Sequence, residues 1–484
     1  MQLERWNKSN LWSLLIAFFV LIGVGWYFQS FDQTAFAILT LCAGLLLFVA
    51  LFFHAHYFYL GLIALIPLSI DSNVLGSAQV SLPSEGMLLM LIPMFALFNS
   101  RFVLTVRKIS THPVTILLAL DLVIQSITTL TSSHIDVSLK RLIIKLLFFI
   151  GFFITVNALE TKKKLINVWL AYAIGLLPVI YFTIQNHIQY DFDPKTVFAV
   201  SKPFYVDHTL YGACLAFILP IVVVLLIYRK KLDWKLWQKN VILFTTIAIL
   251  VSVLLALSRA ALLSLAVAFI FAALLKWKIR FSTIIISLVL LTGLALSLKE
   301  PIYEFLEQNE AVSNDGEIGN HLSSVTNIQS DASNLERVNR WVCAIRMFEE
   351  RPFTGFGPGT YQFEYNKFQT IEHKTYISTN SGDKGNAHSE YLTFLSENGI
   401  LGAVLFLCTV FGTLYFGMQN HYNIEDPILK TINLGVLLGL VTYFFHGIFN
   451  SFMDQSKMAF LYYTGLGTIV WIYQNHQNKT SNAG

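Results

Sequence analysis

The sequence has little charge. Only 13% of its 484 residues are Asp, Glu, Lys or Arg, whereas a soluble globular chain carries about 25%. Hydrophobic residues make up 55% of the chain, and the mean hydropathy is +0.60. A soluble protein of this length is therefore excluded. The formal net charge of +4 is also small, so the placement of the basic residues matters more than their sum, and we expect no nucleic-acid partner.

Cysteine is scarce as well, and no C-x-x-C pair occurs. The four cysteines are Cys42, Cys214, Cys343 and Cys408. Their spacing predicts neither a disulfide framework nor a thiolate metal site, and we expect no metal or cofactor. A small-residue cleavage site is missing after the first apolar run at 11–28, although Arg5 and Lys8 precede that run. The N-terminus is therefore predicted to be a retained first span.

Long apolar runs fill most of the chain. A run of about 20 apolar residues is long enough to cross a bilayer as a helix. Fourteen candidates are found, at 11–28, 33–53, 57–70, 84–98, 114–130, 142–158, 165–185, 208–228, 240–257, 260–275, 282–298, 398–418, 429–448 and 457–474. Because the run at 57–70 is short and 258–260 is a very tight turn, twelve or thirteen helices are alternatives. The pattern predicts an all-α polytopic membrane protein with about 12 to 14 transmembrane helices.

Basic residues set the predicted orientation, since cytoplasmic loops carry an excess of Lys and Arg. With the N-terminus inside, four basic clusters fall on the cytoplasmic side, at 101–108, 162–164, 229–239 and 276–280. The same count places residues 299–390 outside, in one large periplasmic loop. We therefore divide the chain into N-terminal transmembrane helices (1–298), a periplasmic loop (299–390) and C-terminal transmembrane helices (391–484).

The second half of this loop has a helical pattern. Residues 304–331 are acidic and polar, which is typical of a mobile segment. From 334 to 351, apolar residues recur at helical spacing, Ser333 or Asn334 is a suitable cap, and Pro352 ends the pattern. The spacing predicts an amphipathic helix on the membrane surface.

Three groups of outward cations are candidates for binding an anion. Arg259 lies in S-R-A-A-L-L-S-L between two apolar runs, Lys140, Arg141 and Lys145 begin the sixth helix, and Arg337, Arg340 and Arg346 lie on the surface helix. An arginine at a helix end either snorkels to the interface or meets an anion, because a guanidinium at mid-bilayer costs roughly 2.5 to 3.5 kcal/mol.

The same alternative of snorkelling holds for the cluster around Lys145, where a phosphate would keep the lysine charged. On the surface helix a solvated face is the alternative. Arginines three residues apart beside Trp341, near the membrane, favour a diphosphate held by charge-assisted hydrogen bonds of about 1.5 to 3 kcal/mol each.

His388 is the best candidate base on the outer side. It lies in N-A-H-S-E-Y-L-T-F-L-S-E-N-G-I-L-G, just before the twelfth apolar run. A histidine with an unperturbed pKa near 6.5 is mostly neutral at pH 7, so it can accept a proton from a sugar hydroxyl. A structural role is the alternative.

Two other patterns are given less weight. T-G-F-G-P-G-T at 354–360 lacks the G-K-[ST] ending of a phosphate loop and predicts a turn after the surface helix. Asp191 and Asp193 form a D-x-D triplet with Phe192 that could hold a divalent metal. Nucleotide sugars are not expected outside the membrane, however, and such triplets often arise by chance.

Taken together, these segments resemble the O-antigen ligase and O-antigen polymerase family of bacterial membrane proteins, often called the WaaL and Wzy type. The matching pieces are S-R-A-A-L-L-S-L, R-V-N-R-W, R-P-F-T-G-F-G-P-G-T-Y and A-H-S-E-Y-L-T-F-L-S-E-N-G-I-L-G, which together span about 259–402. The resemblance implies a GT-C-like fold in which an undecaprenyl-diphosphate-linked glycan donor meets its acceptor below the large loop.

The resemblance also implies roles for individual residues. Arg259 and Arg337 would bind the donor diphosphate, and His388 would be the catalytic base. Arg340 stands where family members commonly have an apolar residue, so the choice between Arg337 and Arg340 stays open. His446 and Asn450, in F-H-G-I-F-N, resemble a further family segment and are expected to support the site together with Trp341. Arg141 and Lys145 are kept as further diphosphate contacts.

The function predicted from these features is an inverting, metal-independent glycosyl transfer at the periplasmic face of the inner membrane. The glycan would pass from undecaprenyl diphosphate to an acceptor hydroxyl of the lipid A core. Alternatives within this class are a polysaccharide polymerase, whose acceptor is a growing glycan, and a protein O-oligosaccharyltransferase. The rival from another class is a polysaccharide lipid transporter or flippase, which should place ionisable residues at mid-membrane.

Overall fold

The computed structural model describes residues 55–75, 78–98, 100–297, 332–369, 378 and 385–481. Fifteen α-helices occur in this part of the chain. In chain order they are α1 (Ala55–Leu65), α2 (Ser84–Phe98), α3 (Ser100–Ile109), α4 (Pro113–Leu130), α5 (Ile135–Ala158), α6 (Lys162–Gln189), α7 (His208–Ile227), α8 (Leu236–Leu255), α9 (Arg259–Lys276), α10 (Phe281–Ser297), α11 (Ala332–Glu350), α12 (Tyr361–Glu364), α13 (Glu390–Asn423), α14 (Pro427–His446) and α15 (Ser456–Ser481). Short 3₁₀ turns lie at Pro194–Thr196, Arg229–Lys231 and Tyr365–Phe368.

Seven of these helices are long and apolar enough to cross a membrane, by length and composition. They are α4, α6, α7, α8, α9, α13 and α14. Shorter apolar helices lie at Ala55–Leu65, Ser84–Ala96 and Phe281–Leu290. The predicted all-α polytopic class is therefore confirmed. The predicted spans at 11–28 and 33–53 lie outside the described residues, and the count of 12 to 14 stays a prediction.

The predicted span at 57–70 is wrong in its second half. Helix α1 ends at Leu65, and the chain then forms an antiparallel hairpin of β1 (Ile70–Leu75) and β2 (Ala78–Leu82), with Ile70 paired to Leu82. Pro67 cannot donate the next helical hydrogen bond, and polar residues follow at Ser69 and at 71–73. The hydrophobic run therefore stops short of the predicted length.

The tight turn predicted near 258 separates two helices. Helix α8 ends at Leu255, and Ser258 caps the N-terminus of α9 by accepting a hydrogen bond from the backbone N–H of Ala261 at 3.4 Å. Gly212 of α7 lies against this turn, because an added Cβ would be 3.0 Å from that of Ser258. The start of α9 therefore lies beside the start of α7.

Helix α7 lies at the centre of the bundle and is the most buried of the seven candidate spans. It runs antiparallel to α14, where Gly435 packs against Ile221 and Gly439 against Phe217. Both glycines let the two backbones approach closely. Since α7 begins and α14 ends at the same level, the N-terminus of α7 and the C-terminus of α14 lie at one end of the bundle, which we call the loop end.

The four basic clusters lie at the opposite end. Lys162 pairs with Asp426, just before α14, and Tyr422 near the end of α13 donates a hydrogen bond to the carbonyl of Ile279 at 3.4 Å. The His112 ring, just after α3, packs on Phe416 at a centroid distance of 4.5 Å. These contacts place three clusters at one end, and the fourth, at 229–239, follows the end of α7 at Ile227. The arrangement agrees with the assignment of all four clusters to one side of the membrane.

The predicted surface helix is α11, and it ends just before Pro352 as expected. Its buried face differs from the predicted apolar stripe. The buried residues are Glu336, Asn339, Arg340, Cys343, Ala344 and Met347, which pack on the rest of the loop and on α13. Ile345 on the predicted stripe is 43% exposed. Tertiary packing therefore covers a polar and small-residue face, while the apolar stripe stays partly exposed.

Candidate active site

Two sequence motifs at the loop end pair with each other. Helix α13 is broken at Gly399, which has a φ of 65°, and the carbonyl oxygen of Pro352 accepts a hydrogen bond from the Ile400 backbone N–H at 2.8 Å. A Cβ at Gly399 would collide with the carbonyl oxygen of Phe353, so only glycine fits there without strain. The R-P-F-T-G-F-G-P-G-T-Y segment thus docks into the kink of the S-E-N-G-I-L-G segment.

The buried carboxylate of Glu397 completes this docking. Its two oxygens accept hydrogen bonds from the backbone N–H groups of Gly359, at 2.8 Å, and Tyr361, at 3.0 Å. Gly355, Gly357 and Gly359 all have positive φ angles. The T-G-F-G-P-G-T segment is therefore the predicted turn, and its backbone N–H groups hold a carboxylate of the same chain.

A second buried carboxylate, Glu390, holds the segment that follows α14. It accepts hydrogen bonds from the backbone N–H groups of Phe452 and Met453, from Tyr443 Oη at 3.1 Å and from Ser451 Oγ at 3.2 Å. The start of α13 is thereby fixed to residues 447–453.

His388 lies between these two segments, two residues before Glu390. It has a φ of 48°, a left-handed conformation that is uncommon for residues other than glycine and often marks functional sites. Its backbone N–H donates to Asn386 Oδ1 at 3.0 Å, and its carbonyl oxygen accepts from Trp341 Nε1 at 3.2 Å. Trp341 therefore holds the backbone of the histidine, and its role in supporting the site stays a prediction.

The imidazole of His388 is held in its neutral form. Burial lowers its pKa most, the positive charges of Arg340 and Arg337 lower it further, and a hydrogen bond with the Asn450 side chain opposes them. Together they bring the pKa of His388 to about 3. At pH 7 the ring is therefore uncharged, as a base must be before it takes up a proton.

The two candidate diphosphate-binding arginines of α11, Arg337 and Arg340, differ in their surroundings. Arg340 is buried and its Nε donates to Glu336 Oε1 at 2.7 Å, while its Nη1 donates to the carbonyl oxygen of Asn386 at 3.2 Å. Arg340 thus supports the backbone next to His388. Arg337 is only half-buried, and its charge acts on His208, His388 and His446.

His446 and Asn450 lie beside this cation. His446 is buried, and neither of its ring nitrogens has a hydrogen-bond partner among the described residues. The Nδ2 atom of Asn450 likewise has none within the described ranges. An unsatisfied buried polar group costs about 1 to 3 kcal/mol. We call His388, Arg337, Asn450 and His446 the imidazole centre.

Arg141 and Lys145 lie in a different place, a cleft between α4, α5, α13 and α15. Arg141 Nη1 is 3.1 Å from Asp454 Oδ1. Lys145 pairs with Asp121 and lies 4.9 Å above the Phe394 ring. Both predicted diphosphate contacts therefore have a carboxylate partner, and neither is part of the imidazole centre.

Arg259, the remaining predicted cation, is exposed at the start of α9. It lies at the loop end, near the first turn of α7, because Ser258 contacts Gly212. The Asp191 and Asp193 pair is used locally: the carboxylate of Asp193 caps the 3₁₀ turn at Pro194–Thr196 through the backbone N–H of Lys195. In the described part of the chain, no group of three His, Cys, Asp or Glu is arranged to hold a metal ion.

The sequence analysis missed three carboxylates, Glu390, Glu397 and Asp454, and it missed His208. A signal for the two glutamates was available, because A-H-S-E-Y-L-T-F-L-S-E-N-G places two acids seven residues apart at the start of an apolar run. Acids at such positions need partners when buried. Their partners are backbone N–H groups from distant segments, which no local pattern reveals.

The fold and the site define a polytopic helical membrane protein with a neutral histidine flanked by arginines at one end of the bundle. Residues 243–407 match the family model described as O-antigen ligase. This segment, about a third of the chain, contains Arg259, Arg337 and His388, whereas His446 and Asn450 lie beyond it. The comparison with curated proteins found no match. The resemblance to O-antigen ligases is thereby confirmed, and it supports a function of the general ligase or polymerase type.

Proposed function

We propose that the protein transfers a glycan from undecaprenyl diphosphate to an acceptor hydroxyl at the periplasmic face of the bacterial inner membrane. The observation that carries this proposal is the neutral His388 between the Arg337 charge and Asn450. A neutral base beside a cation suits a reaction in which one partner loses a proton and the other departs as an anion.

The chemistry balances in a single displacement. His388 takes the proton from the acceptor hydroxyl, whose oxygen attacks the anomeric carbon from the face opposite the diphosphate. The bond between the sugar and the phosphate oxygen breaks, and undecaprenyl diphosphate leaves with the negative charge. Configuration at the anomeric carbon is therefore inverted. General-base assistance of this kind is typically worth about 10² to 10⁴ in rate.

Binding of the donor makes His388 a stronger base. A pKa of about 3 is too low for efficient proton abstraction near pH 7, because a base works best when its pKa is close to the operating pH. The negative charges of the diphosphate offset the arginine charges that lower this pKa. The base is thus strengthened only when the donor is in place, which limits reaction in its absence.

Residues in and around the imidazole centre bind the donor and position the base. Arg337, with Arg259 as a second contact at the same end of the bundle, binds the diphosphate. Since cationic side chains offset the charge of the leaving group, the transfer requires no metal. Arg340, paired with Glu336, positions the backbone before His388. His446 and Asn450 offer buried nitrogens without partners among the described residues, and these would bond to the donor.

The lipid A core is the acceptor that we propose first, with a growing glycan or a protein hydroxyl as the alternatives. The glycans of a deletion strain test the proposal. Full-length polymer left on the periplasmic lipid carrier supports a ligase, and a single repeat capping the core supports a polymerase. Loss of glycan from a protein supports the protein-directed alternative. Donor accumulating on the cytoplasmic side would instead indicate a flippase, and unchanged glycans would overturn the proposal.

A further inference from the structure

The cleft that contains Arg141 and Lys145 lies at the loop end, and the proposed reaction does not use it. It is an open cleft with an internal volume of about 60 Å³. Helices α4 and α5 form one side, and the start of α13, residues 451–454 and α15 form the other.

Each cation in this cleft has a carboxylate partner. Its two cations are Arg141 and Lys145, and its carboxyl groups are Glu390, Glu397 and Asp454. Arg141 pairs with Asp454, and Lys145 pairs with Asp121 just behind the wall. The cleft thus has no excess positive charge. A diphosphate would have to compete with these carboxylates for the two cations, because like charges repel.

The uncharged part of the lining suits a sugar. Gln125, Thr393, Asn398 and Ser451 bring amide and hydroxyl groups to the wall, and these groups both donate and accept hydrogen bonds, as sugar hydroxyls do. Phe148, Phe394 and Tyr463 supply flat apolar rings on the same wall. Polar groups that fix orientation over an aromatic surface are the usual composition of a ligand site.

The cleft shares a wall with the imidazole centre. Glu390 lines the cleft and follows His388 by two residues, and Ser451 lines it next to Asn450. Asn386 joins the two sides, because its Nδ2 donates to the carbonyl oxygen of Ser451 at 3.2 Å while its Oδ1 accepts from the His388 backbone. A chain of sugars in the cleft would therefore end close to the imidazole.

We infer that this cleft binds uncharged sugar units of the acceptor glycan, next to the unit whose hydroxyl reacts at His388. The inference rests on the proposed function, and it assigns Arg141 and Lys145 to acceptor binding instead of the donor diphosphate. Asp454 and Arg141 contribute an acceptor and a donor of hydrogen bonds at the open side of the cleft.

Two variants with opposite charge changes test this inference. Asp454→Asn should weaken binding of the acceptor about tenfold or more, because one hydrogen bond to a charged group is worth about 1.5 to 3 kcal/mol. Arg141→Gln should leave donor binding unchanged. Both affinities are measured on the full chain in nanodiscs, with rough lipopolysaccharide as the acceptor probe and an undecaprenyl-diphosphate-linked glycan as the donor probe.

Asp136→Asn is the matched control, since Asp136 is an exposed carboxylate on the first turn of α5, outside the cleft. It should change neither affinity. Unchanged acceptor binding in Asp454→Asn would overturn the inference, and so would failure of the unaltered chain to bind the acceptor probe. A diphosphate site predicts the reverse pattern, with donor binding tenfold weaker in Arg141→Gln and tighter in Asp454→Asn.

Failure of this inference is distinguishable from failure of the proposed function. The two affinities are measured without turnover, so they do not depend on the chemistry at His388. Normal transfer by a His388→Ala variant would remove the proposed base and leave the cleft result intact. Normal acceptor binding by Asp454→Asn in a chain that still needs His388 would remove only the cleft assignment.

Discussion

The imidazole centre and the cleft lie at the same end of the bundle and share a wall, yet their polar groups are satisfied in different ways. In the cleft each cation has a carboxylate partner, and Glu390 and Glu397 accept backbone hydrogen bonds. In the centre, His446 has two buried ring nitrogens without partners among the described residues. The difference supports the proposals that the centre binds a charged ligand and that the cleft binds a neutral one.

The strongest test of the centre is His388→Ala. It should lower the rate of transfer by about 10² to 10⁴, because it removes the base, while donor binding stays near that of the unaltered chain. Transfer of a labelled glycan and donor affinity are measured in nanodiscs. His134→Ala is the control, since His134 is at the same end and pairs with Glu364 at 3.1 Å. A His388→Ala variant of normal activity would contradict the proposed base.

Arg337→Gln distinguishes donor binding at the imidazole centre from acceptor binding in the cleft. Losing one charge-assisted contact of about 1.5 to 3 kcal/mol should weaken donor binding about tenfold to hundredfold. Acceptor binding should not change, because Arg337 does not line the cleft. Titration of donor and acceptor probes measures both. Unchanged donor affinity would take Arg337 out of the diphosphate site.

Gly399→Ala tests the kink in α13, against which the segment that follows Pro352 docks. A Cβ at this left-handed position collides with the Phe353 carbonyl, and such strain costs about 1 to 3 kcal/mol. The thermal unfolding midpoint in detergent should fall. Gly412→Ala in the same helix is the control, because its Cβ would lie 3.5 Å from Leu117 Cδ1, an ordinary contact. Equal midpoints for the two variants would contradict the role of the kink.

The acid side of the pH profile tests the charge state of His388. Because His388 must be neutral, kcat/KM falls as pH drops through the pKa of this group in the free enzyme. With that pKa at about 3, His388 imposes no loss between pH 8 and pH 5. Arg337→Gln removes a charge that lowers the pKa, so the acid limb should move to higher pH. An acid limb at the same pH as in the unaltered chain would contradict an effect of the Arg337 charge on the pKa of His388.

The smallest expected effect is that of chelation. Transfer should change less than about twofold in EDTA, since arginines stabilise the leaving group in the proposed reaction. Activity is measured before and after EDTA, with magnesium added back. Full loss restored by magnesium would contradict the metal-free proposal and would return attention to Asp191 and Asp193.

Local sequence patterns predicted most of the long helices and the end of the bundle at which each basic loop lies. Apolar length predicted the seven helices that are long and apolar enough to cross a membrane, and the basic clusters predicted which loops share one end, because both signals depend on transfer between water and lipid. His388 was identified from its motif and its ordinary pKa. The hairpin at 70–82 was missed, since its two strands are short and polar on one side.

The sequence by itself determined the membrane class, the family resemblance and the residue types available for the chemistry. Only the tertiary structure decided which of them act together: it set Arg340 against the backbone of Asn386, Arg141 against Asp454 and His388 beside Asn450. The physical reason is that ion pairs and pKa shifts depend on distance and burial. Those quantities arise when segments that are distant in the sequence pack at one end of the bundle.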